Sequence, residues 1–188
     1  MASVIKIVTS NPGKWLELSS MLLSHGIECV WIRERVREVQ SDDLAEIVRF
    51  SASEAYKRWG EGVLVEDSGL FVSALEGFPG PYSSYVFRTI GLRGILKLLE
   101  GVSERGAHFK SALCYVAAGG EHVVAVGEAE GVVSDRPRGE GGFGFDPIFI
   151  PLDAPDRTFA EMTVEEKNRY SHRGRAVRTL LQLLEARG

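Results

Sequence analysis

A strand-length apolar run, Val4-Ile5-Lys6-Ile7-Val8, gives way across one short turn to a helical stripe of Trp15, Leu18, Met21 and Leu22. A buried-strand pattern handing over so soon to a period near four commits the chain to a sheet covered by helices. The alternation continues. Gly26 closes the first helix, residues 27–32 return as a strand, and Leu44, Ile47, Val48, Ser51, Ala52, Ala55, Tyr56 and Trp59 form one face of a long helix. Asp43 and Glu46 are placed to form its capping box, and Gly60 ends it.

Residues 63–65 read as the next strand, carrying Glu66 and Asp67 to its C-terminal end. Residues 77–81, with two glycines and two prolines, read as loop. Two short helices are expected over 82–90 and 92–99, then a hairpin of 108–117 and 122–128 turned at Gly119-Gly120. A glycine-rich loop over 139–147 leads into a strand at 148–150. Thr163 and Glu166 cap a helix over 164–170, and a last helix runs over 174–186 with Val177, Leu180, Leu181 and Leu184 inward. With no repeat and no linker, the order of elements predicts a single α/β domain over 1–188 with a mixed sheet.

A net charge of −4 argues against a duplex-DNA binder, which presents a strongly basic face. A small anion needs only a local basic pocket. No apolar stretch approaches membrane length and no basic-then-apolar leader opens the chain, so a cytoplasmic protein without a membrane partner is expected. Cys29 and Cys114 sit in apolar runs and read as reduced, buried thiols.

Four short runs carry chemistry, each with a plainer reading beside it. Thr9-Ser10-Asn11-Pro12-Gly13-Lys14 joins strand to helix, where free N–H groups and the helix dipole favour an anion. It is not a Walker A loop, since Val8 stands at the first glycine position and Trp15 follows the lysine; the plainer reading is a simple turn. Glu66 and Asp67, followed by Ser68-Gly69, are either a site at a strand's end, with a turn aiming both carboxylates at ligand, or a surface pair. Gly139, Gly141 and Gly144 satisfy G-x-G-x-x-G, but Pro147 and the apolar strand after it forbid the helix that a dinucleotide fingerprint must open. The loop can instead present Phe143 and Phe145 for stacking, with Asp146 fixing base or backbone; otherwise these are core rings and a turn residue. Lys167, Ser171, His172 and Arg173 form a basic cluster that either binds an anion or complements a helix C-terminus.

Together and in this order, the runs resemble the inosine triphosphate pyrophosphatase family, the Ham1-like enzymes that act on non-standard purine nucleoside triphosphates. The resemblance implies an elongated two-lobed α/β fold, a twisted mixed sheet flanked by helices and a cleft between the lobes. It implies hydrolysis of ITP, dITP and XTP to monophosphate and pyrophosphate, with Mg²⁺ as cofactor and a homodimer as the usual state. It makes Asp67 the catalytic acid, contacting metal and serving as base for water, with Glu38 the second metal-contacting residue. It assigns Thr9, Ser10, Asn11, Pro12, Gly13, Lys14 and Lys167 to the phosphates. Ser68, Phe143, Gly144, Phe145, Asp146, His172 and Arg173 would complete the substrate site. Glu38 lies in the run Arg33, Glu34, Arg35, Arg37, Glu38, which is otherwise a solvated charge run. The chain departs from the pattern in two places. Phe50 and Ser51, and Ser83 and Ser84, stand where many or some relatives carry a lysine, leaving Arg88 and Arg49 as candidate replacements. A Maf-like pyrophosphatase of other specificity, or a non-catalytic nucleotide sensor, are the alternative readings.

Overall fold

The computed structural model describes residues 4–187. In chain order the strands are β1 (Ile5–Val8), β2 (Cys29–Ile32), β3 (Val63–Val72), β4 (Pro79–Gly80), β5 (Gly106–Val116), β6 (His122–Val133) and β7 (Phe149–Pro151). The helices are α1 (Pro12–Ser24), α2 (Leu44–Trp59), α3 (Ser83–Thr89), α4 (Gly91–Leu98), α5 (Val164–Tyr170) and α6 (His172–Glu185). The strands form one mixed seven-stranded sheet in the order β2-β1-β3-β5-β6-β7, with β4 pairing β3 off that path. β1 runs parallel to β2 and β3, and the remaining pairs are antiparallel.

Three packed cores follow from strand alternation. One face of the β1 end carries Leu18, Leu22, Leu64, Leu113, Val177 and Leu180 between α1 and α6. The opposite face carries Val48, Ala52, Val65, Ala112 and Cys114 under α2. The far end of the sheet has its own cluster, Leu70, Val86, Ile95, Phe109, Phe149 and Phe159, closed by α3, α4 and the segment after β6. No helix among the described residues is long and apolar enough to cross a membrane.

Several expected boundaries move, each for a visible reason. The first helix begins at Pro12 because Asn11 caps it, its Oδ1 accepting from Gly13 N at 2.8 Å and Lys14 N at 3.2 Å. The capping box of α2 does not form. Asp43 accepts from Ala45 N, while Glu46 instead accepts from Ser41 Oγ. The strand expected over 63–65 runs on to Val72, because β5 pairs with it along that whole length. Part of the 77–81 loop is the short strand β4. Asp146–Ile148 is a 3₁₀ turn, and the strand after it is Phe149–Pro151. The last helix starts at His172, capped by Ser171 Oγ accepting from Gly174 N at 3.0 Å.

Candidate active site

β1 pairs with β3 only as far as Ile7 and Leu64, then turns away at Thr9 into α1. Beyond that point β3 presents an uncovered edge, and a cavity of about 760 Å³ opens along it. Its wall includes Thr9, Ser10, Asn11, Lys14, Glu38, Asp67, Ser68, Phe143, Gly144, Phe145, Asp146, His172 and Arg173. Pro12, Gly13 and Lys167 are not on it.

Glu66 and Asp67 do not share a face. As successive strand residues they point to opposite sides of the sheet, and no turn intervenes, since Asp67 and Ser68 pair with Ala112 and Ser111 of β5. Lys14 reaches the open edge between them. Its Nζ lies 2.9 Å from Glu66 Oε2 and 3.5 Å from Asp67 Oδ1, and donates to the Glu66 carbonyl at 3.2 Å. Burial alone would lower the Lys14 pKa, but the carboxylates of Glu66 and Asp67 outweigh it and hold the ammonium charged.

On the α6 side, Glu66 is buried and accepts from Ser111 Oγ at 2.7 Å and Arg173 Nε at 3.0 Å. Burial would raise its pKa, yet Arg173 and Lys14 drive it well below the usual carboxylate range. Arg173 also donates to Glu17 Oε2 at 2.5 Å and Ser68 Oγ at 2.8 Å. Glu17 in turn accepts from Lys167 Nζ at 2.6 Å, and Lys167 donates to Asp146 Oδ2 at 2.5 Å. Lys167 is therefore buried between two carboxylates rather than directed at the cavity. His172 and Arg173 lie in the first turn of α6, where the helix dipole disfavours a cation. The arginine's position is accounted for by Glu17 and Glu66, not by helix stability. Burial, reinforced by Arg173 and Lys167, holds His172 neutral, with its ring 4.6 Å from that of Phe109 in a stacked geometry.

On the α2 side, Asp67 is one-fifth exposed, and Glu38 stands exposed on the same cavity wall. Burial raises the Asp67 pKa to about 6, Lys14 opposing the rise and Glu66 and Glu38 adding to it. A carboxylate titrating there is suited to accept a proton near neutral pH.

The glycine-rich loop places its aromatics unequally. Phe143 is half-buried, with Lys167 Nζ 4.9 Å and Arg173 Cζ 5.3 Å from its ring centre. A Cβ on Gly13 would lie 2.3 Å from that ring, so the glycine serves to let Phe143 lie against the start of α1. Phe145 is a core ring, 3% exposed and packed edge-on to Phe87, so the expectation that both rings are presented for stacking fails. Asp146 fixes backbone, accepting from Phe143 N at 2.7 Å. The amides of Gly13 and Lys14 are already taken by Asn11, so they are not the free anion donors expected of this turn.

Glu17 and Ser111 escaped the sequence reading. Glu17 had a signal, an acid beside Leu18 on the inward face of α1; Ser111 had none. Among the described residues no group of three or more His, Cys, Asp or Glu side chains gathers as a metal cage. Glu38 and Asp67 are hard oxygen donors on one wall, and Mg²⁺ is commonly held by one or two carboxylates together with substrate phosphates, so the donor set fits it.

A model of the Ham1 family matches residues 5–183. The dITP/XTP pyrophosphatase of Ignicoccus hospitalis is 51% identical over 173 residues, covering 92% of each chain. That of Thermococcus kodakarensis is 49% identical over 181 residues, covering 96% of this chain and 97% of its own. Among solved structures, the Ham1 protein of Staphylococcus aureus superposes with a TM-score of 0.80 at 29% identity, over 97% of this chain and all of that one.

Proposed function

This chain belongs to the Ham1 family, and on that premise we propose that it hydrolyses the triphosphates of non-standard purines (ITP, dITP and XTP) to monophosphate and pyrophosphate, clearing them from the nucleotide pool. The relatives named above are dITP/XTP pyrophosphatases and match over nearly their whole length. The observation that carries the reading at the level of residues is the split around β3. Asp67 and Glu38 stand on one side of its open edge, Phe143, His172 and Arg173 on the other, with Lys14 between.

In this reading Asp67, with its raised pKa, orients the attacking water and takes its proton. Lys14 lies beside the phosphates and offsets charge on them. Glu38 and Asp67 would hold Mg²⁺, whose chemistry when bound is to neutralise phosphate oxygens and the leaving pyrophosphate. Phe143 offers a ring face to the purine, steadied by the cations behind it. Arg173 and the α6 start bring donors toward the purine 6-position, where hypoxanthine and xanthine present an acceptor and adenine a donor. A homodimer and a cytoplasmic setting belong to the same proposal.

The test is a panel of ITP, XTP, ATP, UTP and dTTP with Mg²⁺ and pyrophosphate detection. At least ~10²-fold higher kcat/KM for ITP or XTP than for ATP is expected, since a site built on such bonds rejects the mismatched edge. Equal turnover of ATP and ITP would defeat the house-cleaning role. A preference for UTP or dTTP would favour a Maf-like enzyme, and tight binding without turnover a sensor.

A further inference from the structure

The cavity as a whole is not a basic pocket. Its wall carries five carboxylates, Glu34, Glu38, Glu66, Asp67 and Asp146, against four cations, Lys14, Arg35, Arg88 and Arg173. Two of those cations are already neutralised. Lys14 lies between Glu66 and Asp67, and Arg173 between Glu17 and Glu66. Lys167, behind the wall, is likewise held by Glu17 and Asp146. A triphosphate entering here meets cations whose charge is already matched by buried carboxylates. Drawing them off would leave those carboxylates uncompensated, which is costly in a desolvated site.

Arg35 and Arg88 differ. Among the described residues neither has a carboxylate within ion-pair distance, and both are exposed on the cavity wall. Arg88 is partly oriented, its Nη1 donating to Ser84 Oγ at 2.6 Å, and Ser84 is on the same wall one helical turn earlier. The two arginines come from different parts of the fold. Arg35 precedes α2, in a segment whose Val36 and Val39 pack on the core under that helix, whereas Arg88 is on α3, which packs on the far core through Val86. Arg49 is not on the wall. We propose that Arg35 and Arg88, the two uncommitted guanidinium groups at the cavity rim, supply the uncompensated positive charge that binds the phosphates beyond Lys14 and set the site's preference for a triphosphate over a monophosphate. The inference rests on the nucleotide reading above. A guanidinium fork suits it, since its donors match paired phosphate oxygens.

The experiment uses Arg35→Ala, Arg88→Ala and the double variant, with two readouts. Steady-state hydrolysis of ITP gives KM and kcat. Calorimetric binding compares an α,β-imido analogue of ITP with IMP. Each single change is expected to raise KM and weaken the analogue by about 10-fold, the lower range for a charged hydrogen bond at an exposed rim, and the double variant by about 100-fold if the sites act independently. IMP affinity and kcat should stay at the parent's values, and the salt dependence of analogue binding should flatten. Arg88→Lys should fall between parent and alanine. Adding Ser84→Lys to Arg88→Ala should restore much of the loss, because it returns a cation to the same wall one turn away; a packing role would not be rescued. If the double variant binds the analogue as tightly as the parent, or if IMP weakens equally, the assignment is wrong. If the parent hydrolyses no nucleotide, the proposed reaction fails separately, and the analogue-to-IMP ratio in parent and double variant still decides the arginines. Equal affinity of the parent for both ligands would overturn them.

Discussion

Asp67→Asn should stabilise the protein while abolishing its activity. The Asp67 carboxyl titrates near 6 instead of its ordinary 3.8, principally because it is buried. A raised carboxyl pKa means that the fold favours the protonated form. Its contribution to stability is therefore full below pH 3.8 and is lost as pH rises through about 6. At pH 7.5 the ionised group is thus a liability of at most about 3 kcal/mol. One-fifth of the side chain is exposed, and solvent screening reduces this to roughly 1–2 kcal/mol. Asparagine removes the charge at nearly constant volume. The loss of attraction to Lys14 is already included, since Lys14 is among the influences that set the shift. In metal-free buffer with EDTA the variant should unfold about 2–8 °C higher than the parent at pH 7.5, given the usual conversion for a chain of this size. The two should converge at pH 4. Hydrolysis of ITP by the variant should fall by at least ~10²-fold. A variant no more stable than the parent at pH 7.5, or equally stabilised at pH 4 and 7.5, would refute the electrostatic reasoning. Turnover within a few-fold of the parent would remove Asp67 from the mechanism.

Lys14→Ala takes away the cation that holds the Asp67 pKa down, so the acidic limb of the kcat/KM profile should move to higher pH and its plateau should fall about 10-fold or more; an unmoved limb argues that Lys14 and Asp67 do not interact in the working enzyme. Arg173→Ala removes one of the two cations from each of buried Glu17 and Glu66, leaving Lys167 on the first and Lys14 on the second, and urea titration should show a loss of about 3–5 kcal/mol, making this variant a poor probe of base selectivity. Gly127→Ala puts a Cβ 2.2 Å from Ala176 N and 2.3 Å from the His172 carbonyl, both backbone atoms of α6. The helix must shift, so a stability loss of roughly 1–3 kcal/mol should accompany a marked drop in turnover, and a fully active, equally stable variant would contradict the close packing described.

The elements that local chemistry decides were legible in advance. Thr163 and Glu166 form their reciprocal caps, Gly60 ends α2 with a φ of 72°, and the β5–β6 hairpin turns where Gly119 and Gly120 predict it. The aspartate, the glutamate at 38 and the His172-Arg173 pair were also marked, and the fold brings them to one cavity. What was not legible depends on partners distant in sequence. The length of β3 is set by a ten-pair register with β5 against which the local propensity of Gly69 argues; the glycine is there because the Gly80 carbonyl would lie 2.1 Å from a Cβ. Lys167 reads as a phosphate cation until Glu17 and Asp146 are seen on either side of it. Phe145 and Phe143 look alike in sequence, and only Phe87 and the cations of α5 and α6 separate a core ring from one at the cavity.

The bond from Arg173 to Glu17 spans 156 residues, and that from Arg173 to Glu66 spans 107. On a translating ribosome Glu66 of β3 is therefore made long before the guanidinium that pairs with it, by roughly 5–20 s at ordinary elongation rates. Until α6 arrives, Glu17 and Glu66 have every reason to stay hydrated, and the sheet edge beside them cannot close into a pocket. The arrival of one late helix acts as the completion signal, switching buried charge from a barrier against collapse into the cross-brace that ends it.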